Sequence, residues 1–374
     1  MFLPKAALEH WMRDYYFDCE IDLGSSGVYA YDFGEVARLA GIKPDDLYQV
    51  VLNDSLTVGS LPLRQALADR YGNGDAESVM TANGSNEMLF HLLSTLLEAG
   101  DEVIALEPIY HALDAVAISK SCHIKRWNMS ESEDFRVCFD ELGRLVTDKT
   151  KLIAVNFPHN PTGVSITAEQ QKQLIDIAES VDAFLVWDAA FDELVAGEPL
   201  RNPFLSYHKA ISVGTLSKCY GMPGLRVGWC FANKDVIQKS VGLRDYTTLY
   251  ISPIIELIAT KVIENADVFI GKRKMEVTEN KAILEKWLIG HQGAVSWSVP
   301  QGGVSCLIQI NGVSNMDDFC RAFADKYSVM LVPGSCFGKK TYARLGYGES
   351  TDKFVKGLEY LTTFINEYEK KTDL

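Results

Sequence analysis

Between residues 79 and 231 the chain alternates short apolar runs with amphipathic stretches of helical length, and that alternation leaves few folds open. Residues 79–82, 102–106, 151–156, 183–188, 210–214 and 226–231 read as strands, with helices at 86–98, 112–119 and 168–181 between them. Such a succession predicts an α/β fold: a mostly parallel sheet covered by helices on both faces. A long Glu-, Lys- and Leu-rich helix follows at 267–289. The pattern then changes to shorter strands at 303–310, 328–331 and 343–346, with helices at 316–326 and 352–369. The change marks a second, smaller α+β domain. We place the large domain at 45–280 and assemble the small one from 1–44 and 281–374. In open sheets of this kind, ligands sit at the carboxyl ends of the strands.

Composition narrows the function classes. A chain of 374 residues, 47% of them hydrophobic, suits one large domain with a companion. The net charge of −14, without a dense Lys/Arg run, argues against nucleic-acid binding. No stretch reaches the roughly 18–20 uninterrupted apolar residues of a membrane span. The opening Met1-Phe2-Leu3-Pro4-Lys5 lacks an apolar signal core, so a cytoplasmic protein is expected. Eight cysteines without a C-x-x-C pair, and seven histidines without ligand spacing, predict reduced thiols and no bound metal.

The chemistry gathers around Lys218. It follows the apolar run at 210–214 and precedes a Gly/Pro-rich loop, with Thr215 and Ser217 just ahead and Arg226 eight residues on. An amine, two hydroxyls and a guanidinium in this order suit an aldehyde cofactor bearing a phosphate. Upstream, Gly84, Ser85 and Asn86 lie between a strand and a helix, where free N–H groups form an anion cup. Asn160, in Asn156-Phe157-Pro158-His159-Asn160-Pro161, follows a strand between two prolines that stiffen its backbone. Asp188 ends an apolar strand, and a buried aspartate needs a cationic partner such as a protonated pyridine nitrogen. The glycine-rich 334–341 segment mimics a phosphate loop, but its glycines are one residue too close together.

The order Gly84-Ser85, Asn160, Asp188, Ser217-Lys218, Arg226 resembles the fold type I pyridoxal phosphate enzymes, the aspartate aminotransferase superfamily. The resemblance implies pyridoxal 5′-phosphate as cofactor, with Lys218 the catalytic Schiff-base lysine and Asp188 the pyridinium partner. It implies that Asn160 bonds the ring hydroxyl and that Ser85, Asn86, Thr215, Ser217 and Arg226 hold the phosphate. Tyr110 falls where an aromatic stacks on the ring, and Arg344 matches the arginine that grips a substrate carboxylate. A homodimer is likewise implied.

Two positions depart from the superfamily pattern. A tyrosine common three residues after the aspartate is Phe191 here. A tyrosine that commonly reaches the partner subunit's phosphate, five residues before Gly59, is Asp54. With the segments at 8–17 and 22–28, these departures resemble the capreomycidine synthase group, cyclases of hydroxyarginine. Its small domain carries an N-terminal segment that covers the substrate. The implied reaction is loss of water and ring closure instead of amino transfer, and a sister activity in the group forms enduracididine, in guanitoxin biosynthesis, from γ-hydroxyarginine. The 36 basic residues divide into 23 Lys and 13 Arg, unlike the arginine-heavy proteins of GC-rich actinomycetes, and this favours the γ-hydroxyarginine reaction over the β.

A guanidinium substrate is best met by a carboxylate. Glu9, Asp22 and Asp54 are the candidates, with the Gly27 backbone N–H offered to the substrate carboxylate beside Arg344 and Asn160. Each has a simpler reading: Glu9 pairs with Arg13 along a helix, Asp22 caps the Gly24–Gly27 turn, and Asp54 sits in a turn after Asn53. An aminotransferase, an arginine oxidase and a cofactor-binding regulator are the competing functions.

Overall fold

The computed structural model describes residues 2–372. Its main sheet has seven strands: β1 (Val79–Ala82), β2 (Glu102–Glu107), β3 (His123–Asn128), β4 (Thr150–Asn156), β5 (Phe184–Asp188), β6 (Ala210–Thr215) and β7 (Gly228–Phe231). Their order is β1-β7-β6-β5-β4-β2-β3, all parallel except β7, which runs against both neighbours. Successive side chains of β4 and β5 go to opposite faces. Leu152, Ala154 and Val186 enter one core with Met88, Leu89 and Leu92 of the helix at Ser85–Leu96. Ile153, Val155, Leu185 and Trp187 enter the other, with Leu174, Ile175 and Ala178. Two buried faces explain why these strands read as unbroken apolar runs.

Three elements depart from expectation. β3 was not expected as a strand: it is the sheet edge, and its Lys125 and Arg126 break the apolar pattern, as edges do. The strand expected from 226 begins at Gly228, because Arg226 takes a left-handed φ of 54° after a short turn. The helix expected over 112–119 is interrupted at Asp114, whose carboxylate is drawn to Arg126 at 2.7 Å.

The helices include α1 (Ala7–Tyr15), α2 (Ser85–Leu96), α3 (Ala168–Ser180), α4 (Ala266–Gly290) and α5 (Thr351–Thr372). Beyond α4 lies an antiparallel sheet of β8 (Val295–Trp297), β9 (Ser305–Ile310), β10 (Val332–Pro333) and β11 (Ala343–Gly346), in the order β10-β11-β9-β8. The N-terminal segment joins this end of the chain. Ile21–Asp22 pairs in parallel with Val329–Met330, and the Trp11 indole of α1 donates to the Leu331 carbonyl at 2.8 Å. Among the described residues, no helix is long and apolar enough to cross a membrane.

Candidate active site

The register of the main sheet sets Asn156 beside Asp188 at the carboxyl ends of β4 and β5, with Thr215 at the end of β6. Asp188 is buried, and one carboxylate oxygen accepts from the Ala190 N–H at 3.0 Å. Burial raises its pKa to about 6 against the pull of that hydrogen bond and of Lys218. Asn156 joins Asp188 to Asn160. Its Nδ2 donates to the Asp188 carbonyl at 2.8 Å and its Oδ1 accepts from the Asn160 N–H at 2.8 Å. Asn160 Oδ1 in turn accepts from Nη1 of Arg344 on β11 at 3.0 Å. His159, also buried, is wedged between Thr162 Oγ1 at 2.9 Å and the Pro108 carbonyl at 2.8 Å; burial lowers its pKa to about 4, so it is neutral.

Lys218 lies three residues past β6. Its Nζ donates to Ser26 Oγ at 3.1 Å and stands 5.8 Å from the Phe191 ring centre. Burial lowers the amine to about 8, with Arg344 pushing the same way, while Glu9, Asp188 and Asp22 hold it partly up. An amine tuned to that range can both take and return a proton near neutrality.

A cup of donors forms beside it. Gly84, at φ 92°, precedes α2, and a side chain there would collide with the Arg226 guanidinium. β7 comes so close that a Cβ on Gly228 would meet the Ser85 backbone nitrogen. Arg226 Nη1 lies 3.3 Å from Ser217 Oγ, and Ser217 and Thr215 share a hydroxyl contact at 3.0 Å. The helix start, one guanidinium and two hydroxyls thus face a common point, the donor set of a phosphate dianion. Asn86 Nδ2 donates to the Tyr110 hydroxyl at 2.9 Å. Tyr110 donates to Glu9 Oε1 at 3.3 Å, and burial raises its phenol well above the usual range.

α1 therefore brings Glu9 to Tyr110, into the surroundings of Lys218. Asp22 is occupied as a cap: one oxygen accepts from the N–H groups of Gly24 at 2.9 Å and Ser25 at 2.8 Å. Gly27 sits in the same turn, its N–H 3.4 Å from Ser25 Oγ. Asp54 is exposed and accepts from the Tyr250 hydroxyl at 2.5 Å; within this chain it does not join the Lys218 group. Ser26 and Asn156 carry contacts that their sequence neighbourhood did not single out. Asn156 shows the signal that marked Asp188, a polar residue closing an apolar strand. Ser26 shows none.

The aminotransferase class I and II family model matches residues 22–361. The chain belongs to that family. Capreomycidine synthase of Streptomyces vinaceus is 36% identical over 95% of this chain and 92% of its own length. The aspartate aminotransferase of Thermotoga maritima is 26% identical over 82% of each. Among solved structures, the PLP-dependent cyclase OrfR superposes with a TM-score of 0.93 at 36% identity, over 98% of both chains. A PLP-dependent aminotransferase of Streptococcus suis reaches 0.93 at 28%, over 98% of this chain and 99% of its own. The fold is fold type I, and the cofactor is pyridoxal 5′-phosphate. The residues present fit it: a cup closed by Gly84 and Arg226 for the phosphate, a buried carboxyl for the pyridine nitrogen, an amide for the ring oxygen and an amine for the aldehyde.

Proposed function

We propose that this enzyme is a cyclodehydratase that converts (S)-γ-hydroxy-L-arginine to L-enduracididine, with loss of water and intramolecular addition of guanidine. The observation that carries the reading is the pairing of Glu9 with Tyr110 in a site that also holds Arg344. A carboxylate and a guanidinium in one site suit a substrate with a carboxylate at one end and a guanidinium at the other. The 36% identity to a capreomycidine synthase, against 26% to an aspartate aminotransferase, supports cyclisation over amino transfer.

In this reading Arg344 and the Gly27 N–H hold the substrate carboxylate, and Glu9 holds the guanidinium. Asp188 and Asn160 keep the cofactor ring in place, and Ser85, Asn86, Thr215, Ser217 and Arg226 its phosphate. Bound pyridoxal 5′-phosphate supplies a sink for the electron pair freed at Cα. Lys218 takes the Cα proton, releases it and then, for a γ-hydroxyl, takes a Cβ proton, which it hands to the departing hydroxyl so that water leaves. A guanidine nitrogen adds to Cγ and gives its proton to Lys218, which delivers it to Cβ. A proton returned to Cα through the same amine replaces the first one taken. The balance is one water lost and a five-membered ring closed.

The likeness to capreomycidine synthase favours a second reading, in which a β-hydroxyl leaves after one deprotonation and a six-membered ring closes at Cβ. Mass spectrometry of enzyme incubated with each hydroxyarginine, without a keto acid, separates them. A product lighter by one water from the γ-isomer, with a five-membered ring, supports the proposal. Turnover of only the β-isomer replaces it with the second reading. Turnover that needs a keto acid or consumes oxygen replaces both with a transaminase or an oxidase.

The functional unit we propose is a homodimer. Tyr48, Val51, Leu52 and Leu56, which surround Asp54, are 82%, 68%, 75% and 57% exposed, and Tyr246 is 89% exposed. Apolar exposure this concentrated marks an association surface. It would carry Asp54 to the partner's site; sedimentation as a monomer at micromolar concentration would refute it.

A further inference from the structure

The Lys218 amine is tied to a residue 192 positions earlier: its Nζ donates to Ser26 Oγ at 3.1 Å, and Ser26 is only 4% exposed. The turn that carries Ser26 is held from several sides. Asp22 caps it through the Gly24 and Ser25 N–H groups. The Gly24 carbonyl accepts from Arg344 Nε at 2.8 Å, and Gly346 N–H donates to the Leu23 carbonyl at 2.8 Å. Neither Gly24 nor Gly346 has room for a side chain: a Cβ on Gly24 would lie 2.9 Å from the Leu331 carbonyl carbon, and one on Gly346 would strike the Ser25 carbonyl oxygen. Ser26 is thus fixed against β11, on the strand that presents Arg344.

We propose that Ser26 is the positioning residue for the Lys218 amine, holding it by one N–H so that its lone pair stays aimed at the carbon it must deprotonate. The chemistry favours a hydroxyl there. A lysine amine on a four-carbon stem is mobile, and loss of orientation at the reacting atom is costly. A carboxylate in the same place would favour the protonated ammonium and trap the proton. A hydroxyl accepts the N–H while remaining neutral. A cyclodehydration takes at least one carbon-bound proton through the amine and later returns one, so its position must survive each transfer. The inference rests on Lys218 as the proton carrier, and holds for either hydroxyarginine.

The groups that face the amine are Arg344, Glu9, Asp188 and Asp22, with the Phe191 ring beside it. Ser26 adds an acceptor that favours the charged amine, so removing it lowers the titration midpoint. The test is competitive acetylation of the full-length, cofactor-free enzyme across pH, with acetic anhydride as probe and peptide mass spectrometry reading Lys218. The expected midpoint is about 8 for the native chain. It falls by roughly half to one pH unit in Ser26→Ala, the size of one lost hydrogen bond, and returns in Ser26→Thr. In the loaded enzyme, Ser26→Ala lowers kcat for exchange of the substrate Cα hydrogen about tenfold with KM little changed, and Ser26→Thr recovers most of it. An unchanged Lys218 midpoint in Ser26→Ala, or a Thr variant that folds with native melting yet behaves like Ala, overturns the proposal. Failure of both hydroxyarginines to cyclise in native enzyme overturns the functional reading instead, since the acetylation midpoint needs no substrate.

Discussion

Arg344 Nη1 donates to Asn160 Oδ1 at 3.0 Å, and both residues are buried, Arg344 to 1% exposure. The hydrogen bond settles which way the Asn160 amide faces. With Oδ1 taken by the guanidinium, Nδ2 is the end left for the cofactor's ring oxygen. In the proposed reading Arg344 therefore acts twice, on the substrate carboxylate and on the orientation of a cofactor ligand. Arg344→Lys keeps the charge but loses the fork that reaches Asn160 and the Gly24 carbonyl together. It should lower kcat/KM by roughly 30- to 150-fold, the worth of one charged hydrogen bond of about 2–3 kcal/mol. It should also move the visible absorbance of the bound cofactor. A loss of kcat/KM with an unaltered spectrum would show that Arg344 serves the substrate alone.

Asp188 gives a pH prediction of definite sign. Its carboxyl rises from the usual 3.8 to about 6, chiefly through burial. In the cofactor-free enzyme the folded chain then binds the proton more tightly than the unfolded chain between those values. Stability falls as pH rises through that window, and the cost is complete above pH 6. Asp188→Asn should therefore stabilise the cofactor-free enzyme at pH 7 by on the order of 2–3 kcal/mol, seen as a higher melting temperature, with the gain vanishing below pH 4. The same variant should hold pyridoxal 5′-phosphate more weakly, because the amide carries no charge for the pyridine nitrogen. Calorimetry at pH 4 and pH 7 checks the first part and cofactor titration the second.

The cofactor cup and the sheet that bears it were readable because most residues there close or follow an apolar strand, and Arg226 lies just ahead of one. Asn160, Asp188, Thr215 and Lys218 are placed by register along β4, β5 and β6, a local property of sequence. The N-terminal wall was not readable in the same way. The turn that carries Ser26 is held through the pairing of Ile21–Asp22 with Val329–Met330, 308 residues away; the strand at 328–331 was expected, but Ile21–Asp22 is too short to show a periodicity. Edge strand β3 escaped because Lys125 and Arg126 interrupt its apolar pattern. For Asp22, the bland reading as a turn cap is the one its hydrogen bonds show.

Gly84 tests the phosphate cup. Its φ of 92° disfavours any side chain, and a Cβ would be driven into the Arg226 guanidinium. Gly84→Ala should weaken pyridoxal 5′-phosphate binding by roughly 10- to 100-fold, given about 1–3 kcal/mol of backbone strain, while the cofactor-free protein keeps its helical content. Retention of the cofactor through extended dialysis, at the native rate, would mean that the cup forms elsewhere.

Glu9 tests substrate choice. It lies on α1, which buries Leu8 and Trp11 and leaves the carboxylate 3.3 Å from the Tyr110 hydroxyl. Glu9→Gln keeps an oxygen to accept from Tyr110 and removes only the charge. If Glu9 meets the guanidinium, KM for hydroxyarginine should rise about 10- to 100-fold with kcat little affected, the pattern of a lost charge-assisted contact made equally in ground and transition states. A hydroxycitrulline analogue, neutral where the guanidinium stands, should bind both enzymes alike. Equal KM values for hydroxyarginine in native and Glu9→Gln enzyme would return Glu9 to a solvated helix residue and make Asp54, brought by a partner subunit, the remaining candidate.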